Sequence, residues 1–324
     1  MATENGFEME YRRLGRTGLK VSVVSLGSWL TFGSSVGSDT TKECIDLARE
    51  LGINFFDTAD IYARGQGELA LGRAIEGVPR HHLVIASKCY WPMSDDDPND
   101  RGLSRKHIME SCERSLKRLG TDYLDLYQCH RYDEDTPVDE VVRAMDDLAR
   151  QGKILYWGVS CWTAGQIEEA VEKAGTLLAL APASNQPPYS MLDRDIEDAV
   201  MPTSEKLGVG QVVFSPLAQG VLSGKYSGGK RPSGTRAADS QRNKFIGRFM
   251  DEETLAKVDR IGEIARDIGA TPCQLAIAWC LRKPNVASAI IGATRPEQVR
   301  ENAAAAGVKL DRQTLARIEK VLEG

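Results

Sequence analysis

No C-x-x-C pair, no long apolar run and no cationic excess occurs in this chain of 324 residues. Seven scattered cysteines, at positions 44, 89, 112, 129, 161, 273 and 280, suit reduced thiols and argue against a disulfide frame or a zinc cage. A formal net charge of −5 argues against a basic nucleic-acid surface. No stretch approaches the roughly 18 apolar residues of a membrane span. The first residues, Met-Ala-Thr-Glu-Asn-Gly-Phe-Glu, carry neither the basic nor the apolar region of a secretion signal. A cytoplasmic protein without nucleic-acid or membrane partners is therefore expected. The glycine-rich stretch 224–234 lacks the order of a P-loop, and serine-hydrolase and H-E-x-x-H patterns are absent. Histidine is scarce, with only His81, His82, His107 and His130.

Short apolar runs alternate with amphipathic segments from about residue 22 to 310. Strands are expected at 23–26, 54–57, 84–88, 124–127, 156–160, 183–186, 212–215 and 287–291. Thr40 with Glu43, Thr163 with Gln166, Thr271 with Gln274 and Thr294 with Glu297 fit capping boxes, and Pro137 and Pro272 fit first-turn positions. After Ser104, Ile108, Cys112 and Leu116 recur at helical spacing and leave Lys106, Glu110, Glu113 and Lys117 for solvent. Nearly continuous apolar strands between helices mean a parallel sheet covered on both faces. Eight of them favour an α/β fold closed into a (β/α)8 TIM barrel. With 42% hydrophobic residues the chain can build it as one unit. Residues 1–9 are expected to be a disordered tail and 10–324 a single barrel domain. That domain adds an N-terminal β-hairpin at 12–24, turning at Gly15 and Gly18, and extra C-terminal helices at 252–268, 272–283 and 311–322.

Four polar residues stand where apolar runs end: Asp57 after Ile-Asn-Phe-Phe, Lys88 after Leu-Val-Ile-Ala-Ser, His130 after Leu-Asp-Leu-Tyr-Gln-Cys, and Tyr62 five residues past Asp57. The C-terminal face of a parallel barrel collects its active residues in this way. A phenol with a pKa near ~10 is a poor acid at neutral pH until a cation lowers it. Lys88 can be that cation, Asp57 can hold it, and His130 can hydrogen-bond a carbonyl oxygen as an oxyanion hole does. Singly each has an ordinary explanation as a cap, a surface charge or packing; together on one rim they indicate carbonyl chemistry. A lysine at a barrel strand end also suits a Schiff-base lyase.

Three further stretches bear on function. Gly65-Gln-Gly67-Glu-Leu-Ala70 matches G-x-G-x-x-A, but a loop separates it from the preceding strand and the next strand ends in Lys88, so a dinucleotide fingerprint is not expected. The loop 92–103 holds Asp95, Asp96, Asp97 and Asp100 without the spacing or glycine of an EF-hand, and no metal site is expected there. The segment 219–250 carries Lys225, Lys230, Arg231, Arg236, Arg242, Lys244 and Arg248 against Asp239. It reads as a flap over a phosphate-bearing ligand, the alternative being a solvated disordered loop.

With these residues in place, the chain resembles the aldo-keto reductase superfamily over nearly its full length. Phe56-Asp57-Thr58-Ala59 with Tyr62, Ser87-Lys88 and His130 match the family's catalytic tetrad in order. The resemblance implies that Ser160 and Gln186 hold the nicotinamide carboxamide and that Phe214 stacks on the nicotinamide ring. It also implies a pyrophosphate loop of Ser215, Pro216, Leu217 and Gln219 through Lys225. The adenosine-phosphate segment would be Gly292, Thr294, Arg295, Gln298, Glu301 and Asn302, with Ser28, Trp29, Asp57 and Arg236 as further cofactor contacts. The implied activity is reduction of an aldehyde or ketone by hydride transfer from NADP(H), with NAD(H) as the alternative and Tyr62 as general acid. Trp29, Tyr62, Trp91 and His130 would line the substrate pocket; Phe32 and Tyr90 also follow strand ends. Gly102-Leu-Ser-Arg-Lys-His-Ile108, Gly224-Lys-Tyr226 and Gln274-Leu-Ala-Ile-Ala-Trp-Cys-Leu281 are similar to the potassium-channel β-subunit branch, which implies a cofactor-sensing subunit as a second reading and a homo-oligomer by analogy. The chain departs from the family where Lys-Ser and a downstream Arg are common, having Gly292-Ala293 and Gln298, and at Cys161, where Asn or Arg is common. His130 stands where animal channel subunits have Asn, which points to an enzymatic set.

Overall fold

The computed structural model describes residues 6–239 and 243–323. Ten strands and ten α-helices follow one another along it. The strands are β1 (Tyr11–Arg13), β2 (Lys20–Ser22), β3 (Val24–Gly27), β4 (Phe55–Asp57), β5 (Val84–Cys89), β6 (Leu124–Cys129), β7 (Ile154–Val159), β8 (Ser184–Asn185), β9 (Gly210–Phe214) and β10 (Val286–Ile291). The helices are α1 (Ser38–Glu50), α2 (Gln66–Ala74), α3 (Arg105–Leu119), α4 (Val138–Arg150), α5 (Ala164–Thr176), α6 (Val200–Leu207), α7 (Glu252–Asp267), α8 (Pro272–Leu281), α9 (Pro296–Ala303) and α10 (Arg312–Glu323). Strands β3 to β10 pair in parallel, and β10 returns to β3 to close an eight-stranded barrel. This is the (β/α)8 TIM barrel. All of β5, β6 and β10 is buried, because one face packs inside the barrel and the other against helices.

The hairpin β1–β2 closes the N-terminal mouth. Its Leu14 and Val21 pack with Phe55, Val84, Leu126 and Val212 from the barrel floor. Gly15 (φ +56°) lies so close to β9 that a Cβ there would come within 2.4 Å of the Gly208 carbonyl. Arg12 ties the hairpin to the opposite wall, Nη1 donating to the carbonyls of Leu281 (2.8 Å) and Val286 (2.9 Å). Of the expected tail at 1–9, residues 1–5 lie outside the described residues; Met9 is buried and Phe7 packs against Gly307.

Two of the four expected capping boxes form, Thr163 with Gln166 and Thr271 with Gln274. The other two do not. Helix α1 starts earlier, after Gly37, which puts Thr40 inside the first turn. Helix α9 is entered through Arg295 because Pro296, with its fixed φ, takes the first helical position. Pro137 stands at the N-cap of α4, one residue before the expected first turn. In α3, Ile108, Cys112 and Leu116 are buried, Ser104 caps the start, and Lys106, Glu110 and Lys117 are exposed. Among the described residues no helix is long and apolar enough to cross a membrane.

Candidate active site

Several barrel strands carry a polar side chain to the C-terminal rim at or just past their ends. Asp57 closes β4, Lys88 is the penultimate residue of β5, and His130 directly follows β6. The Lys88 ammonium is fully buried. Its Nζ donates to Asp57 Oδ2 (2.7 Å), to the Thr58 carbonyl (2.8 Å) and to the Tyr62 hydroxyl (3.3 Å). Asp57 Oδ1 accepts from Gln186 Nε2 (2.8 Å), so one carboxylate joins the ends of β4, β5 and β8, and Ser160 Oγ after β7 donates to the Gln186 carbonyl (2.8 Å). The His130 ring stands edge-on to Tyr62, centroids 5.7 Å apart. Ser28 Oγ bonds Thr58 Oγ1 (2.8 Å) on the loop that leads to Tyr62. The four residues read as a tetrad from the sequence are thus brought together.

The electrostatics depart from one expectation. Burial raises the Tyr62 phenol above its ordinary pKa, and Lys88 only partly opposes this, so the net direction is upward and not the lowering expected from the cation alone. The phenol is therefore a protonated donor at neutral pH. Burial would push Lys88 down, but Asp57 and Tyr62 outweigh it and hold the ammonium charged. Burial, with Lys88 and Arg131 adding to it, holds His130 well below the usual imidazole range. A neutral imidazole carries one N–H and can donate it.

Tyr62 stands on a tight turn. Ala63 (φ 50°) and Arg64 (φ 51°) are left-handed residues with side chains, followed by Gly65 (φ 87°) at the N-cap of α2. Left-handed non-glycine residues store strain that the surroundings must hold. Glu68 provides the anchor. It is fully buried, accepts from Ser87 Oγ beside Lys88, and pairs with Arg118 at the end of α3. Gly67 lets α2 approach, since a Cβ there would lie 3.2 Å from Tyr62 Cβ. The stretch that resembles a dinucleotide fingerprint therefore serves to seat Tyr62. Sequence reasoning missed Glu68, although an acid three residues from the buried Leu71 places it on the inner face of α2.

Beyond β9 the backbone turns left-handed at Ser215 (φ 57°), Ala218 (φ 45°), Gln219 (φ 61°) and Gly220 (φ 93°). Such runs form concavities that suit anions. Lys225 Nζ would lie 3.0 Å from a Cβ at Gly220, so its charge overhangs this turn. Gln219 Nε2 donates to Ser215 Oγ (2.7 Å), and Arg236 bonds Gln219 Oε1 while its guanidinium lies 5.7 Å from the Trp29 ring centre. Within the basic segment Tyr226, Ala237, Ile246 and Phe249 are buried and anchor its short 3-10 turns, while residues 228–234 are exposed. Trp29 meets Phe245 of the same segment with centroids 5.8 Å apart. Arg242 lies outside the described residues.

The segment that the resemblance assigns to an adenosine phosphate follows β10. Gln298 Oε1 accepts from the Thr294 amide (2.8 Å), which replaces the expected Thr294 cap, and Arg295 pairs with Glu297 at 3.7 Å on the surface. Asn302 is buried with Oδ1 unpartnered among the described residues, and Gln274 donates to the Glu301 carbonyl (3.3 Å). Trp91 is 38% exposed and 6.4 Å from His130, Trp29 is half-buried, and Phe32 belongs to the core. Phe214 and Pro216 to Leu217 continue from β9 along the rim, and Cys161 (φ 55°) sits beside Ser160 with its Sγ 3.7 Å from the Gln186 carbonyl.

The comparisons agree with this arrangement. Residues 23–323 match the Aldo/keto reductase family. Two relatives are named "Probable voltage-gated potassium channel subunit beta": one of Arabidopsis thaliana, 43% identical over 97% of both chains, and one of Oryza sativa subsp. japonica, 42% identical over the same shares. With a tetrad on the rim of a closed barrel and a match over almost its whole length, this chain belongs to the aldo/keto reductase family.

Proposed function

We propose that the protein reduces an aldehyde or ketone to an alcohol with NADPH, Tyr62 giving the proton. The observation that carries this reading is the Lys88 ammonium placed between the Asp57 carboxylate and the Tyr62 hydroxyl. A reduced nicotinamide dinucleotide, when bound, supplies the hydride. The residues present fit such a group: an unpartnered buried Asn302 Oδ1, a left-handed turn at 215–220 overhung by Lys225, and Gln186, whose Nε2 is held by Asp57 and leaves Oε1 for an amide. The proton leaves Tyr62 Oη for the carbonyl oxygen, and Lys88 stabilises the phenolate that remains. Neutral His130 donates a hydrogen bond to the same oxygen and shares its developing charge. Trp29 and Trp91 wall the cleft, and the partners are small carbonyl compounds.

His130→Asn tests the imidazole. Losing an oxyanion donor costs about 10²–10³-fold in kcat, and the shorter amide should recover part, leaving a deficit of roughly tenfold or more. Steady-state rates with fold and cofactor binding checked alongside decide it; equal rates would make His130 structural. For the cofactor, Arg295 and the N-terminus of α9 favour a 2′-phosphate. Arg295→Ala should weaken NADPH by about tenfold, the low end for a charged hydrogen bond because the side chain is exposed, and NADH much less. Fluorescence titration with both dinucleotides checks this, and equal losses reject it.

The names of both relatives favour a second reading, a potassium-channel-associated subunit, and in that reading the same site would bind the dinucleotide with little turnover. A panel of aldehydes and ketones with NADPH and with NADH, followed at the nicotinamide absorbance, separates the two. Turnover supports the reductase; binding without turnover supports the subunit.

A further inference from the structure

The reductase reading says nothing of what the substrate carries besides its carbonyl, and Arg131 bears on that. Arg131 follows His130 on the rim and is partly buried. Its Nη1 donates to the His130 carbonyl, and its guanidinium lies 5.7 Å from the centre of the Trp91 ring, so the side chain is held at two points. Trp91 in turn faces His130 edge-on, so guanidinium, indole and imidazole share one wall of the cleft. Among the described residues no carboxylate forms an ion pair with Arg131, whereas three acids of the loops after β5 and β6 are engaged elsewhere. Asp95 pairs with Arg64, Asp100 with Arg114, and Asp133 accepts from the Leu103 amide and the Thr136 hydroxyl. The positive charge of Arg131 also reaches Tyr62 and His130. Nη1 being used, the edge formed by Nε and Nη2 remains, and that edge matches a carboxylate bidentately.

We propose that Arg131 binds a carboxylate on the carbonyl substrate, so that the enzyme prefers aldehydes or ketones that are also acids. This rests on the reductase reading, and the test separates the two. Two activated aromatic aldehydes of similar size serve as probes, anionic para-carboxybenzaldehyde and neutral para-nitrobenzaldehyde. With NADPH, the unmodified protein should show the lower KM for the acid. Arg131→Met should lower kcat/KM for the acid relative to the neutral aldehyde by about 10- to 100-fold, mainly through KM. Arg131→Lys, which keeps the charge without the fork, should fall between. Equal losses for both aldehydes in Arg131→Met, or no preference for the acid in the unmodified protein, overturns the proposal. Benzoate binding to the protein mixed with NADP+, measured by calorimetry, needs no turnover. Weaker binding in Arg131→Met supports the assignment and unchanged binding overturns it. If neither aldehyde is reduced by any form, the reductase reading alone fails, and the benzoate measurement still decides Arg131.

Discussion

Replacing Tyr62 by Phe is expected to cut kcat by about 10²–10⁴-fold, the reach of a general acid, while dinucleotide affinity changes little. The hydroxyl hydrogen-bonds Lys88 Nζ at 3.3 Å, whereas the ring, whose centre lies 5.0 Å from that Nζ, is set by the turn at 63–65 and by Gly67, and Phe keeps both the ring and its setting. The loss should therefore appear in turnover with the fold preserved. The pH profile sharpens the expectation. The phenol is raised above its ordinary value, so the unmodified protein should keep its acid through neutral pH and lose it only above about pH 10. His130 stays neutral across the same range, because its pKa lies well below the usual imidazole value, and should add no limb near neutrality. Single-turnover rates across pH measure both. A Tyr62→Phe protein retaining most of its activity would remove Tyr62 from the chemistry.

Lys88→Met should act on stability as well as on rate. Asp57 is nearly fully buried, and removing one partner of a buried pair costs about 3–5 kcal/mol because the other charge is left uncompensated. Gln186 Nε2 still donates to Asp57 Oδ1, which places the expectation near the lower figure, about 3 kcal/mol by urea denaturation. Lys88 is raised above its ordinary value in the fold, so its contribution is fully present below the unfolded lysine pKa of about 10.4 and fades as pH rises through the folded value. The stability gap between parent and variant should thus hold from neutral to mildly alkaline pH and narrow only beyond that. In any residual activity the phenol, deprived of its cation, should titrate at still higher pH. Equal stability at neutral pH, or a basic limb that does not move, would contradict the role assigned to the pair.

Asp57, Lys88 and His130 were legible because a lone polar residue at the end of an apolar run is a strong signal when the same pattern repeats strand after strand. Helix entries were less so. Thr40 and Thr294 carry the right residue types at the right spacing, yet Gly37 and Arg295 are the caps, since where a chain enters a helix depends on the loop it leaves. The direction of the Tyr62 shift was misjudged for a related reason: a sequence displays the cation but not how deeply the hydroxyl is buried. The link of Glu68 to Ser87 and Arg118 was not legible because it joins residues 19 and 50 positions apart in the chain.

By itself the sequence determined the alternation, and with it the parallel eight-stranded barrel, since strands buried on both faces must be apolar throughout and must be joined by covering helices. It also determined which residue types reach the rim, because strand ends set that locally. Only the tertiary structure decided how those groups meet. It placed Asp57 between Lys88 and Gln186, set Arg236 and Phe245 against Trp29, and left Arg131 beside Trp91 with no acidic ion-pair partner among the described residues. The reason is that hydrogen bonds, burial and charge pairing at the rim join residues contributed by separate strands. Their energies depend on distances that barrel closure sets and that local sequence does not encode.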